Sequence, residues 1–241
     1  MFINISHKYK SKNFDNRKKK ISFIILHYTE TKNLNDAVNL LTSKKRKVSC
    51  HYLIDLDGSI YNLVDVNYRA WHAGESKWKR SEDINSRSIG IEIVNSGEGS
   101  LKKYKEKQIL SLIKLLIQLK KQFKIEDNYI LGHSDIAPFR KIDPGKHFPW
   151  KKLYQNSVGV WVDEKINDSP LNKTQYNTLL KNLKKIGYPY IKDNKLTQNN
   201  KKIINSFHRH HLSRLVDKFP TKTSLIKSNN NPIIVIKSNA K

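Results

Sequence analysis

The run Ile21–His27 (ISFIILH) constrains the fold most. It is short, rich in β-branched residues and unbroken by charge. That pattern reads as a strand buried on both faces, the kind found in sheets covered by helices on each side. The run ends in a histidine, so a sheet with an apolar interior delivers an imidazole to one of its ends.

Further elements follow the same reasoning. Residues 34–42 form a short helix with Leu34, Val38 and Leu41 on one face. His51 to Asp55 and Ile60 to Val64 read as strands joined by a hairpin at Asp57-Gly58. In Ile89 to Val94, Ile89, Ile91 and Ile93 share one side, which turns Glu92 to the other. Tyr104 to Phe123 is the clearest helix: Ile109, Leu112, Ile113, Leu116, Leu119 and Phe123 recur at steps of three and four. Tyr129 to Leu131 is a short strand leading into Gly132-His133.

After Trp150 the pattern changes. Residues 173–186 and 200–211 are helical, separated by Gly187 and Pro189. The expected fold is α/β: a central mixed β-sheet flanked by helices, with a small C-terminal helical appendage. The expected organisation is a loose basic arm at 1–20, a catalytic domain at 21–157, a helical subdomain at 158–220 and a flexible basic tail at 221–241.

The 241 residues carry a net charge of +25. A polyanion partner is one reading. Drift toward Lys, Asn and Ile is the other, and it is favoured because the cations gather in no single stripe. No nucleic-acid partner is expected. One cysteine, Cys50, excludes an internal disulfide and a cysteine-rich zinc knuckle, leaving His and carboxylates to hold any metal. No apolar stretch is long enough to span a bilayer, and the run after the basic N-terminus is too short for a signal segment. A cytoplasmic place is expected on that ground, with the periplasm or cell envelope as the alternative. Oligomeric state is unreadable.

The chemistry concentrates in residues 132–150, GHSDIAPFRKIDPGKHFPW. His133 follows a glycine at a strand end, and Asp143 precedes the turn dipeptide Pro144-Gly145. Catalytic zinc takes three such protein ligands and keeps one position for water. His133 and Asp143 supply two, and His27 is the best third candidate. From the residues alone, structural roles for these side chains remain equally open.

The segment GHSDIAPFRKIDPG resembles the signature loop of the zinc-dependent N-acetylmuramoyl-L-alanine amidases. FIILHYT, SCHYLIDLDGSIY, and AWHAG followed by SIGIEI resemble that family in the same order, so the likeness runs from about Ile21 to Trp150. The resemblance implies one zinc ion held by His27, His133 and Asp143, with Glu92 and Lys141 as catalytic groups. Asp at the third ligand position resembles the AmpD/AmiD branch. The implied substrate is peptidoglycan or muropeptides, with anhydro or ordinary muramic ends left open. A non-catalytic peptidoglycan-binding protein of the same fold is the alternative.

Trp71, His72, Arg87 and Asn85 are candidate substrate contacts, each with packing or solvent exposure as the competing role. His51 reads as a core or metal-supporting histidine and Asp135 as a loop-organising acceptor. His208, His210 and His211 read as surface residues. The C-terminal piece resembles, weakly, the peptidoglycan-binding appendage of AmiD-type amidases.

Overall fold

The computed structural model describes residues 3–100, 103–163, 165–193 and 195–239. The strands, in chain order, are β1 (Ile5–Ser6), β2 (Phe14–Asn16), β3 (Phe23–Tyr28), β4 (Tyr52–Ile54), β5 (Ile60–Asn62), β6 (Tyr68–Ala70), β7 (Lys77–Trp78), β8 (Ser81–Glu82), β9 (Ser88–Ile93) and β10 (Ile130–Gly132). The α-helices are α1 (Leu34–Thr42), α2 (Ile84–Arg87), α3 (Glu106–Phe123), α4 (His133–Ile136), α5 (Trp150–Gln155), α6 (Lys173–Ile186), α7 (Gln198–His211), α8 (Lys222–Asn229) and α9 (Pro232–Asn239).

Six strands form one mixed sheet in the order β1-β5-β4-β9-β3-β10. Only the β4–β5 hairpin is antiparallel; the other pairings are parallel. Gly58 turns that hairpin at φ 89°, a conformation that glycine adopts without strain.

Alternation along the central strands separates two apolar layers. Ile24, Leu26, Ile89, Ile91 and Ile93 pack against α3, whose Leu112, Leu115 and Leu116 are fully buried. Truncating one of these leucines to alanine costs about 2–5 kcal/mol. Phe23 and Ile25 point the other way, onto Leu179, Leu183 and Phe207 of α6 and α7. The appendage therefore covers one face of the same sheet.

Both termini differ from the expectation. The arm is held: β1 extends the main sheet and β2 pairs with β6. Ser11 Oγ donates to Leu41 O (2.7 Å), and Asn13 Nδ2 donates to Ser43 O and Val48 O (2.9 and 2.8 Å). The expected tail folds into α8 and α9, Ala240 and Lys241 lying outside the described residues. Lys227 is buried, donates to Val162 O and lies 3.7 Å over the Trp161 ring. Polar bonds anchor both segments beside scattered apolar contacts, Ile5 and Tyr9 from the arm and Leu225 and Ile233 from the tail. Among the described residues no helix is long and apolar enough to cross a membrane.

Candidate metal centre

β3 and β9 are parallel neighbours with His27 opposite Glu92. Alternation puts both side chains on the face away from α3. β10 adjoins β3 on its other side, and His133 follows it as the first residue of α4. The loop after α4 then returns Asp143 to the same point, where Ser134 N donates to Asp143 O at 2.9 Å.

Three ligand-type atoms converge there. His27 Nδ1 and His133 Nδ1 are 3.1 Å apart, and Asp143 Oδ2 lies 2.9 and 3.0 Å from them. A tetrahedral zinc ion with ligands at about 2.0–2.1 Å sets those atoms about 3.3 Å apart. The triangle is therefore nearly the size of one face of such a site, and its two imidazoles and one carboxylate suit zinc. All three side chains are buried. Burial lowers the His27 imidazole to about 4, with the neighbouring His133 acting in the same direction, so its lone pair is available at neutral pH. Burial pushes Asp143 up, but the adjoining His133 and His27 outweigh it and keep the carboxylate ionised.

The outer nitrogens of both imidazoles meet one loop. His133 Nε2 is 3.0 Å from Ala73 O, and His27 Nε2 is 3.1 Å from His72 Nδ1. Asn85 Oδ1 accepts from the backbone N–H groups of His72 and Ala73 (3.0 and 2.7 Å).

The centre lies in a cleft of about 940 Å³ lined by Tyr28, Glu30, Arg46, Trp71, Glu92 and Lys141 among others. Glu92 Oε2 is enclosed yet has no hydrogen-bond partner among the described residues. Burial raises its carboxyl well above the usual range, with Asp143 adding to the rise and Lys141 opposing it. Lys141 is half-buried on the Asp143 loop.

The other candidates have distinct positions. Trp71 lines the cleft, its Nε1 donating to Asp15 Oδ2 at 2.8 Å. His72 reaches the cleft too, but its Nδ1 faces a metal-ligand candidate. Asn85 is buried beneath the 72–73 backbone, and Arg87 Nε donates to Glu82 O at 3.3 Å; neither lines the cleft. His51 is buried with Nδ1 accepting from Gly90 N (2.9 Å).

His208, His210 and His211 are buried, not on the surface. His210 Nδ1 lies 2.7 Å from Asp135 Oδ2, stacked 3.7 Å from the Trp150 ring. Asp135 also accepts from Tyr188 OH and Gly132 N, both at 2.8 Å. The neighbouring Arg209 pairs with Glu98 at 3.1 Å, and Glu98 accepts from Lys146 N at 2.8 Å. Thus α7 braces both ends of the loop that carries His133 and Asp143. Periodicity gave no signal for this, because the contacts use the polar residues of an amphipathic helix.

Residues 17–146, more than half of the chain, match the family described as N-acetylmuramoyl-L-alanine amidase. AmiD of Escherichia coli is 32% identical over 210 residues, covering 79% of this chain and 75% of that protein. AmpD of Haemophilus influenzae is 42% identical over 113 residues, 46% of this chain and 59% of AmpD. The E. coli AmiD structure, a complex with the substrate anhydro-N-acetylmuramic acid-L-Ala-D-γ-Glu-L-Lys, superposes with TM-score 0.79 at 26% identity, covering 97% of this chain and 95% of that one. AmpDh3 of Pseudomonas aeruginosa, in complex with anhydromuramic pentapeptide, gives TM-score 0.73 at 28% identity, with 88% and 92% covered. On the extent of that match, and with relatives alike along most of its length, the chain belongs to the N-acetylmuramoyl-L-alanine amidase family.

Proposed function

We propose that this chain hydrolyses the amide bond between N-acetylmuramic acid and L-alanine in muropeptides or peptidoglycan, using one zinc ion held by His27, His133 and Asp143. The observation that carries the reading is the convergence of three ligand atoms beside an unpartnered carboxylate oxygen in an open cleft.

Zinc bound there supplies Lewis acidity toward a water molecule and the scissile carbonyl. The rest is the work of the chain. Glu92 takes a proton from the attacking water as the new C–O bond forms. The Lys141 ammonium stabilises negative charge on the former carbonyl oxygen. Glu92 then returns the proton to the departing nitrogen as the C–N bond breaks. The products are the lactyl carboxylate of the sugar and the free amino group of the stem peptide. Trp71 at the cleft wall offers an apolar face to the sugar or the stem. Relatives captured with anhydromuramic peptides support ligands of that class for this cleft.

The test is digestion of a defined anhydromuropeptide followed by mass spectrometry, with Glu92→Ala as control. Release of intact stem peptide by the wild-type chain alone is expected. A folded, zinc-loaded wild-type chain that releases no more than Glu92→Ala contradicts the reading.

A further inference from the structure

We infer that His72 is a positioning residue for the metal centre, selecting the ring form in which His27 presents Nδ1 to the ion. The inference rests on the metal reading above. A neutral imidazole carries one proton, so the partner of the outer nitrogen decides which nitrogen is left to bind metal.

For His27 that partner is His72 Nδ1, at 3.1 Å from His27 Nε2. If His27 is to donate through Nε2–H, His72 Nδ1 must accept and His72 must carry its own proton on Nε2. The next contact fits that requirement. His72 Nε2 lies 3.1 Å from Ser88 Oγ, and Ser88 Oγ donates in turn to Ile84 O at 2.6 Å. The Ile84 carbonyl can only accept, so it sets the direction of the whole chain: His27 to His72 to Ser88 to Ile84. His72 and Ser88 are both buried.

Two sequence features are explained by this arrangement. A Cβ on Gly90 would come within 2.4 Å of the His72 ring, so the glycine within β9 gives that ring its place against the strand. Asn85 pins the His72 and Ala73 backbone from below, and Ala73 O is the acceptor for His133 Nε2. One short loop thereby sets the ring form of both histidines. With both nitrogens engaged inside the protein, His72 acts on the metal site and not as a substrate contact.

The experiment measures zinc affinity by chelator competition in the full chain, its His72→Leu and His72→Gln variants, together with the histidine tautomers of the zinc-loaded wild type by long-range proton–nitrogen NMR. His72→Leu is expected to weaken zinc binding about 10–100-fold. His72→Gln, whose side-chain oxygen accepts from His27, is expected to recover most of that loss. The spectrum is expected to show His72 neutral and protonated on Nε2. A His72→Leu chain that binds zinc as tightly as wild type overturns the inference, as does a His72 protonated on Nδ1. Should His72→Leu fail to fold, the wild-type spectrum still decides. A wild-type chain that binds no zinc removes the metal reading itself, and this inference with it.

Discussion

Asp135 and His210, 75 residues apart in sequence, are bonded at 2.7 Å in the interior, joining the C-terminal helices to the loop that carries two of the metal-ligand candidates. The Arg209–Glu98 pair repeats the connection at the far end of that loop. Removing one partner of this largely enclosed pair leaves the other charge short of its bonds and costs on the order of 1–3 kcal/mol. Arg209→Ala is therefore expected to lower the denaturation midpoint substantially. The double variant Arg209→Ala/Glu98→Ala should lose less than the sum of the two single changes, as a double-mutant cycle in urea will measure.

Glu92→Gln keeps the volume of the side chain and removes its basicity. Its kcat is expected to fall by about 10²–10⁴. Zinc content should stay at the wild-type level, because Glu92 is not among the three grouped ligand candidates. Turnover of a synthetic muropeptide and metal analysis of the same sample check both halves.

Lys141→Ala is expected to lower kcat by about 10²–10³ with little change in KM, since stabilisation of an oxyanion is realised only in the transition state. Lys141→Arg, which keeps the charge, should retain part of the rate. Steady-state kinetics on both variants separates charge from packing.

Acid should destabilise the metal-free chain, and His208 gives a measurable share. Burial lowers its imidazole from 6.5 to about 4, with Arg214 and Arg209 acting in the same direction and the Leu215 carbonyl opposing them. Below about pH 6.5 the unfolded chain binds a proton that the folded chain refuses. The stabilisation is present above that pH and is lost as the pH falls toward 4, roughly 2 kcal/mol between pH 7 and 4.5. Urea unfolding of wild type and His208→Gln at the two pH values is expected to show a shallower loss in the variant.

Much of the fold was legible because apolar spacing encodes it. Ile21–His27, the alternating isoleucines around Glu92 and the Ile109–Leu119 stripe correspond to β3, β9 and α3. The family was legible because its motifs carry unusual residue types in a fixed order. The arm and the tail were not, since Ser11, Asn13 and Lys227 reach distant backbone carbonyls and Ser224 Oγ meets the His208 ring at Nε2. The same limit hid His210, whose partner Asp135 lies on another element. Sequence shows Asn85 as a polar side chain near the motif but not that its Oδ1 accepts from the 72–73 backbone.

The proposed chemistry requires His27, His133 and Asp143 to hold one ion. Metal content of the purified chain by mass spectrometry, compared with His133→Ala and Asp143→Ala chains of unchanged circular dichroism, tests it most directly. About one zinc per wild-type chain is expected, removed together with activity by chelator and restored by added zinc, and almost none in either variant. Full zinc occupancy in the two variants, or full activity in a wild-type chain stripped of metal, would contradict it.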